Sequence, residues 1–249
     1  GITWTAQTTP NQNEYFSLDY SPKHGRLVAV SSTGSNRIIY SNNAGTTWTT
    51  ATGTGIDNAG WREVLWVNDW NIWIAIAGNA NSTGNRGAWS SDGITWTTYA
   101  LPANEDWISM AYSSDHGMIV ACAFTSRIMT TTNGINWTLR PSLAINYRRV
   151  IYVPEYKLFM IAVFGTIAGN NLQVSTDGIN YTGITLPSNR NWRGICWCKE
   201  IGRLVMVAGV TTGNQGAMTS SLAYTYANSR SVFDNISFNS NYIDNTTGN

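Results

Sequence analysis

The 249-residue sequence is short of charge: Asp, Glu, Lys and Arg together make up 12% of it, and 15 basic against 14 acidic side chains leave a net charge of +1. A chain this close to neutral has no basic face to neutralise phosphates, which argues against nucleic acid and against a polybasic membrane contact. No apolar run approaches the roughly 20 residues that a membrane helix needs, so no membrane insertion is expected. Histidine occurs twice, proline six times and cysteine three times. Cys122, Cys196 and Cys198 are odd in number and lack metal-ligand spacing. They read as buried thiols acting as small hydrophobes, in a protein that folds in a reducing compartment. No metal and no cofactor are expected.

What the sequence does have is flat apolar surface. Aromatics reach 12%, with twelve Trp and twelve Tyr, far beyond what a disordered chain carries. They recur with a period. Tyr15-Phe-Ser-Leu-Asp-Tyr20, Trp61-Arg-Glu-Val-Leu-Trp66, Trp107-Ile-Ser-Met-Ala-Tyr112, Tyr147-Arg-Arg-Val-Ile-Tyr152 and Trp192-Arg-Gly-Ile-Cys-Trp197 start about 40 to 46 residues apart. Each is followed by a polar turn and an apolar β-rich run (26–30, 72–77, 118–123, 158–163, 204–208), then by a third short run (37–40, 87–89, 127–130, 172–174, 216–219). A tight turn and a fourth strand opening with Trp48, Trp96, Trp137 or Tyr181 complete the unit.

Four short strands in a period of about 44 residues, with no helical periodicity, is the pattern of a β-propeller blade. Five periods predict five four-stranded antiparallel blades over residues 1–224. The prolines agree, because Pro10, Pro102, Pro141 and Pro187 follow fourth strands while Pro22 and Pro154 sit in the turn after a first strand. Proline cannot donate to a ladder, so both placements are outside it.

The turns between third and fourth strands read Ser41-Asn-Asn-Ala-Gly-Thr-Thr-Trp48, Ser90-Ser-Asp-Gly-Ile-Thr-Trp96, Thr131-Thr-Asn-Gly-Ile-Asn-Trp137 and Ser175-Thr-Asp-Gly-Ile-Asn-Tyr181. This resembles the Asp-box of sialidase-like (BNR-type) propellers, S/T-x-D/N-x-G-x-T-W/Y, with one residue deleted in three of the four copies. The short acceptor, such as Asp92 or Asp177, can bond turn N–H groups, and Gly93 or Gly178 supplies the unusual backbone angle. The resemblance implies that these turns face away from the ligand. Thr219-Ser-Ser221 opens a fifth box, and Gly1-Ile-Thr-Trp4 has the form of its missing half. The N-terminal strand is therefore expected to complete the last blade and close the ring, leaving 225–249 as an extension or linker.

Both histidines fall in one kind of hairpin turn, His24 in blade 1 and His116 in blade 3, so no Ser/His/Asp triad is expected. The acids not used in turns, Glu14, Asp19, Asp57, Glu63, Glu105 and Asp106, lie on or just before first strands, which line the channel of a propeller. Arg62, Arg148 and Arg193 share one register, directly after the aromatic that opens each blade. A planar fork suits either blade-to-blade bonding or an anionic ligand, and sialidases hold a carboxylate with an arginine triad. The opening aromatics Tyr15, Trp61, Trp107, Tyr147 and Trp192 are suited to packing between blades or to stacking on sugars. The loops 31–36, 78–87, 164–171 and 209–216, rich in Gly, Asn, Ser and Thr, offer neutral donors and acceptors for hydroxylated ligands. These eight arginine and aromatic residues are the candidate ligand-binding set, and no catalytic residue is assigned.

The low charge and the Trp-Thr fourth strands resemble, in style, propeller modules of bacteriophage tail and virion proteins. That resemblance implies a non-catalytic module binding a glycan or other cell-surface receptor, at a virion surface or outside the cell, after assembly in a reducing cytoplasm. A larger homo-oligomeric assembly is compatible with it. The alternatives are a sialidase-like glycoside hydrolase, which needs two carboxylates across a sugar, and a structural spacer or oligomerisation module.

Overall fold

The computed structural model describes residues 3–78, 86–165, 172–186, 190–209 and 216–218. Nineteen strands among the described residues form five antiparallel sheets. Blade 1 is β1 (Tyr15–Ser21), β2 (Arg26–Ser31), β3 (Ile38–Ser41) and β4 (Thr49–Thr50). Blade 2 is β5 (Gly60–Val67), β6 (Ile72–Gly78), β7 (Gly87–Ser90) and β8 (Thr97–Tyr99). Blade 3 is β9 (Trp107–Ser113), β10 (Met118–Ala123), β11 (Arg127–Thr131) and β12 (Thr138–Arg140). Blade 4 is β13 (Asn146–Val153), β14 (Leu158–Phe164), β15 (Leu172–Ser175) and β16 (Thr182–Ile184). Blade 5 contributes β17 (Trp192–Cys198), β18 (Arg203–Ala208) and β19 (Gly216–Met218). The expected repeat is present, and each sheet is a meander with consecutive strands paired. Fourth strands start one residue after the aromatic rather than on it.

Adjacent blades pack through their first strands, β1 on β5, β5 on β9, β9 on β13 and β13 on β17. Four apolar clusters fill the gaps. The first joins Val28 and Val30 of blade 1 to Val64 and Trp66 of blade 2; the next joins Ile74 and Ile76 to Trp107 and Met110. The third sets Val120 and Cys122 against Tyr147 and Val150, and the last sets Met160 and Ala162 against Trp192 and Ile195. The second strands of blades 2, 3 and 4 are buried almost along their length because both faces are covered, which is why they read as unbroken apolar runs. Each large side chain so buried contributes ~1.5–3 kcal/mol.

Two expectations are corrected. Residues 3–14 form no strand and Trp4 is 93% exposed, so among the described residues no N-terminal strand closes the last blade. Residues 219–221, its expected partners, and the boundary at 224/225 lie outside the described residues. The cysteines are all free, but only Cys122 is buried: Cys196 is exposed, because its side of blade 5 meets no following blade.

Candidate functional site

Strand register defines the two ends of each blade. Tyr15 pairs with Ser31 and Ser21 with Arg26, so the start of a first strand and the finish of the second lie at one end. Leu27 pairs with Ser41, which puts the box-like turns at the opposite end, as expected. At the first end all five first strands break register at the same place. Tyr15 and Ser17, Trp61 and Glu63, Trp107 and Ser109, Tyr147 and Arg149, and Trp192 and Gly194 face neighbouring residues of the second strand. The residue between is left out of the ladder: Phe16, Arg62, Ile108, Arg148 and Arg193. A bulge re-aims its extra side chain and recurs beside binding sites. The arginine register of the sequence is thus a bulge register.

The bulged side chains meet one another and a residue at the finish of a second strand. The Arg62 guanidinium lies 4.3 Å from the centroid of Phe16, and that of Arg193 lies 5.3 Å from Phe164, whose ring is 5.1 Å from Phe124. Arg148 has its pKa lowered, first by burial and then by the positive charges of Arg193 and Arg62, while Asp106 acts in the opposite sense. Arginines of blades 2, 4 and 5 therefore share one electrostatic field. A Cβ at Gly78 would strike the Asp106 carboxylate and the Arg62 side chain, and one at Gly209 would strike Arg193. Absence of a side chain at these two positions lets the arginines lie against the backbone.

The opening aromatics do something else. Trp61, Trp107, Tyr147 and Trp192 are fully buried, which leaves no ring face for a sugar and removes them from the ligand-binding set. Three of them hold the segments that lead into blades 2, 3 and 4: Trp61 Nε1–H donates to the Ile56 carbonyl at 2.6 Å, Trp107 Nε1–H to Ala103 at 3.1 Å, and the Tyr147 hydroxyl accepts from Leu143 N–H at 3.1 Å. Tyr15 is half-buried. The aromatics that do stand at the bulge end are Phe16, 51% exposed, with the half-buried Phe124 and Phe164. Sequence reading passed over all three; the signal that could have found Phe16 is that it shares the arginine register.

The acids on or just before first strands are engaged. Asp19 accepts from Trp66 N–H at 2.7 Å and Tyr20 N–H at 2.8 Å; burial raises its pKa against these bonds. Glu63 is buried, accepts from Met110 N–H and pairs with Arg149 at 3.3 Å. Burial pushes its pKa up to about 7, opposed by Arg149 and the Met110 and Ser109 bonds. Glu105 pairs with Arg127 at 3.4 Å, Asp57 accepts from Arg37 N–H and Glu14 from the Ser32 hydroxyl. No group of three or more His, Cys, Asp or Glu able to hold a metal occurs among the described residues.

At the other end the four turns repeat one network. Asp92 Oδ1 accepts from Ile94 N–H at 2.8 Å, Thr95 N–H at 2.9 Å and the Ser90 hydroxyl, while Gly93 N–H donates to Ser90 Oγ. Asp177 and Asn133 do the same in blades 4 and 3. Both histidines sit in hairpin turns, His24 Nδ1 3.0 Å from Ser21 Oγ and His116 Nδ1 2.8 Å from Ser113 Oγ.

No family profile and no curated protein matches the chain. Solved structures do match. The GH74 enzyme of Niastella koreensis superposes with a TM-score of 0.66 at 17% identity, over 85% of this chain and 36% of that one. YCF48 bound to D1 peptide gives 0.62 at 13%, over 86% and 67%. The computationally designed Ika8 protein gives 0.60 at 12%, over 84% of this chain, which spans 58% of the designed one. This likeness establishes the β-propeller fold.

Proposed function

We propose that this propeller is a non-catalytic recognition module and that its bulge end binds a glycan or another cell-surface molecule. The observation that carries the reading is the fivefold bulge, which leaves Arg62, Arg148 and Arg193, together with Phe16, out of the ladders at the same end of their blades. Guanidinium forks suit acidic or hydroxylated groups, and flanking rings offer apolar faces to a sugar. The same reading takes the box-like turns as Asp-box turns and the protein as a receptor-binding head of a phage tail or virion, displayed at a virion surface or outside the cell. Two propeller neighbours, a GH74 enzyme and a protein bound to a peptide, are compatible with such an end-on site.

A glycan array with a hydrolysis readout on each hit tests this. Binding without turnover is expected, and Arg148→Ala should weaken it at least tenfold, the scale of a charged hydrogen bond at ~1.5–3 kcal/mol. Unchanged binding in an Arg62→Ala, Arg148→Ala, Arg193→Ala triple variant would remove the site. The second reading is glycoside hydrolysis, with which the GH74 neighbour is compatible; turnover abolished by Glu63→Gln or Asp19→Asn would establish it instead.

A further inference from the structure

The four interfaces between blades are built on one register, and the same register leaves two faces open. On first strands, Val64, Met110, Val150 and Ile195 each face the preceding blade and are buried; the equivalent residue of blade 1, Leu18, is 62% exposed. On second strands, Val30, Ile76, Cys122 and Ala162 face the following blade and are buried; the equivalent of blade 5, Val207, is 53% exposed. A third contact repeats the pattern. Trp66 packs edge-on against His24 of the preceding blade's hairpin turn, Tyr112 against Trp70, Tyr152 against His116 and Trp197 against Tyr156. The equivalent aromatic of blade 1, Tyr20, is 49% exposed, and the equivalent turn residue of blade 5, Ile201, is 60% exposed.

Polar groups follow suit. The Tyr112 hydroxyl donates to Asp69 at 2.7 Å and the Tyr152 hydroxyl to Asp115 at 2.6 Å, each across one blade boundary. At the open ends the corresponding pair is the Tyr20 hydroxyl and Glu200, which follow the same positions in their blades. The leading face of blade 1 is therefore shaped to receive the trailing face of blade 5: Leu18 against Val207, Tyr20 against Ile201 and Glu200. Within one chain both faces remain exposed to solvent.

We propose that a second copy of this chain supplies the missing neighbour, blade 5 of one copy docking on blade 1 of the next by a fifth interface of the kind that joins blades 1 to 5. An apolar patch of this kind on a soluble protein marks an interaction surface. Such a contact is heterologous, so it leaves one face free on each outer copy unless the ring closes.

Light scattering on the full chain during size-exclusion chromatography tests this. The wild type should have at least twice the single-chain mass, in a concentration-dependent manner. Leu18→Arg and Val207→Arg each spoil one face, so each variant alone should lose association at least tenfold. An equimolar mixture of the two retains one intact pair of faces and should return to a mass of two chains and stop there. Both side chains are exposed, so unchanged melting temperatures are expected; if either variant unfolds, Tyr20→Lys and Ile201→Lys form the replacement pair. A single-chain mass at every concentration overturns the proposal, and that is also the result if the N-terminal segment or residues 219–249 of the same chain cover these faces. Association that survives both arginine variants, or a mixture that stays at single-chain mass, overturns it equally.

Discussion

Glu63 of blade 2 and Arg149 of blade 4 form an ion pair at 3.3 Å, and the same carboxylate accepts the Met110 backbone N–H of blade 3 lying between them. One buried side chain thus ties three blades. Ser17 and Ser109 occupy the Glu63 position in blades 1 and 3 and bond the next blade in the same way, to Val64 N–H at 3.3 Å and Val150 N–H at 3.1 Å. Blade 4 places Arg149 itself at this position, and blade 2 alone places a carboxylate there.

That charge makes stability depend on pH. The Glu63 pKa in the fold is raised to about 7 from an ordinary 4.5, so between those values the folded state holds a proton that the unfolded chain has released. Its contribution is full below about 4.5 and is lost as pH rises through 7, on the order of 3 kcal/mol. His24, whose pKa is lowered by burial and by Arg26 and Lys23, contributes a smaller effect of opposite sign. Thermal melts of wild type and Glu63→Gln from pH 5 to 8 separate them: the difference between the two proteins should favour the variant increasingly as pH rises. A constant difference would mean that the carboxyl is ionised throughout.

Replacing Asp177 by Ala removes an acceptor shared by Ile179 N–H, Asn180 N–H and the Ser175 hydroxyl. The expected loss is roughly 1 kcal/mol or more of unfolding free energy, from backbone donors left unpaired. Because those bonds hold the Asp177 pKa down to about 2, the stabilisation is present at neutral pH and fades as pH falls through that value. Asp92→Ala should behave alike. Denaturant titrations measure both, and binding at the other end should be unchanged at a temperature where the variants stay folded.

Trp107→Ala should cost about 3 to 5 kcal/mol, the price of a cavity where a buried indole stood. The indole also holds the Ala103 carbonyl, so the segment leading into blade 3 loses its tether. A variant with an unchanged midpoint of unfolding and a selective loss of ligand would show instead that this ring reaches the surface.

Phe16→Ala tests the aromatic that sequence reading passed over. Its ring is half exposed and underlies Arg62, so stability should change by less than about 1 kcal/mol while affinity for a bound glycan falls. Equal affinity would place the ligand away from blade 1.

The blade repeat was legible because it is written in composition: apolar second strands such as 118–123, prolines at 22 and 154 outside ladders, and glycines at 93, 134 and 178 that need left-handed backbone. The bulge was not legible. One extra residue between Trp61 and Glu63 changes no residue type, and alternation alone assigns Arg62 to a sheet face when it belongs to neither. Sequence left Trp61, Trp107, Tyr147 and Trp192 open between packing among blades and stacking on sugars for a related reason. When a sheet is covered on both sides, period-two patterning no longer says which aromatics meet solvent.

The five bulged positions also have a consequence for how this protein can change. A residue excluded from the ladder is under no obligation to pair, and here the position already tolerates Phe, Ile and Arg among blades of one backbone design. Exchanging any of them changes one of five equivalent positions at that end while leaving the strand pairs intact. Under the proposed function, that makes the bulge end a socket plate, on which selectivity is reset one blade at a time without renegotiating the fold.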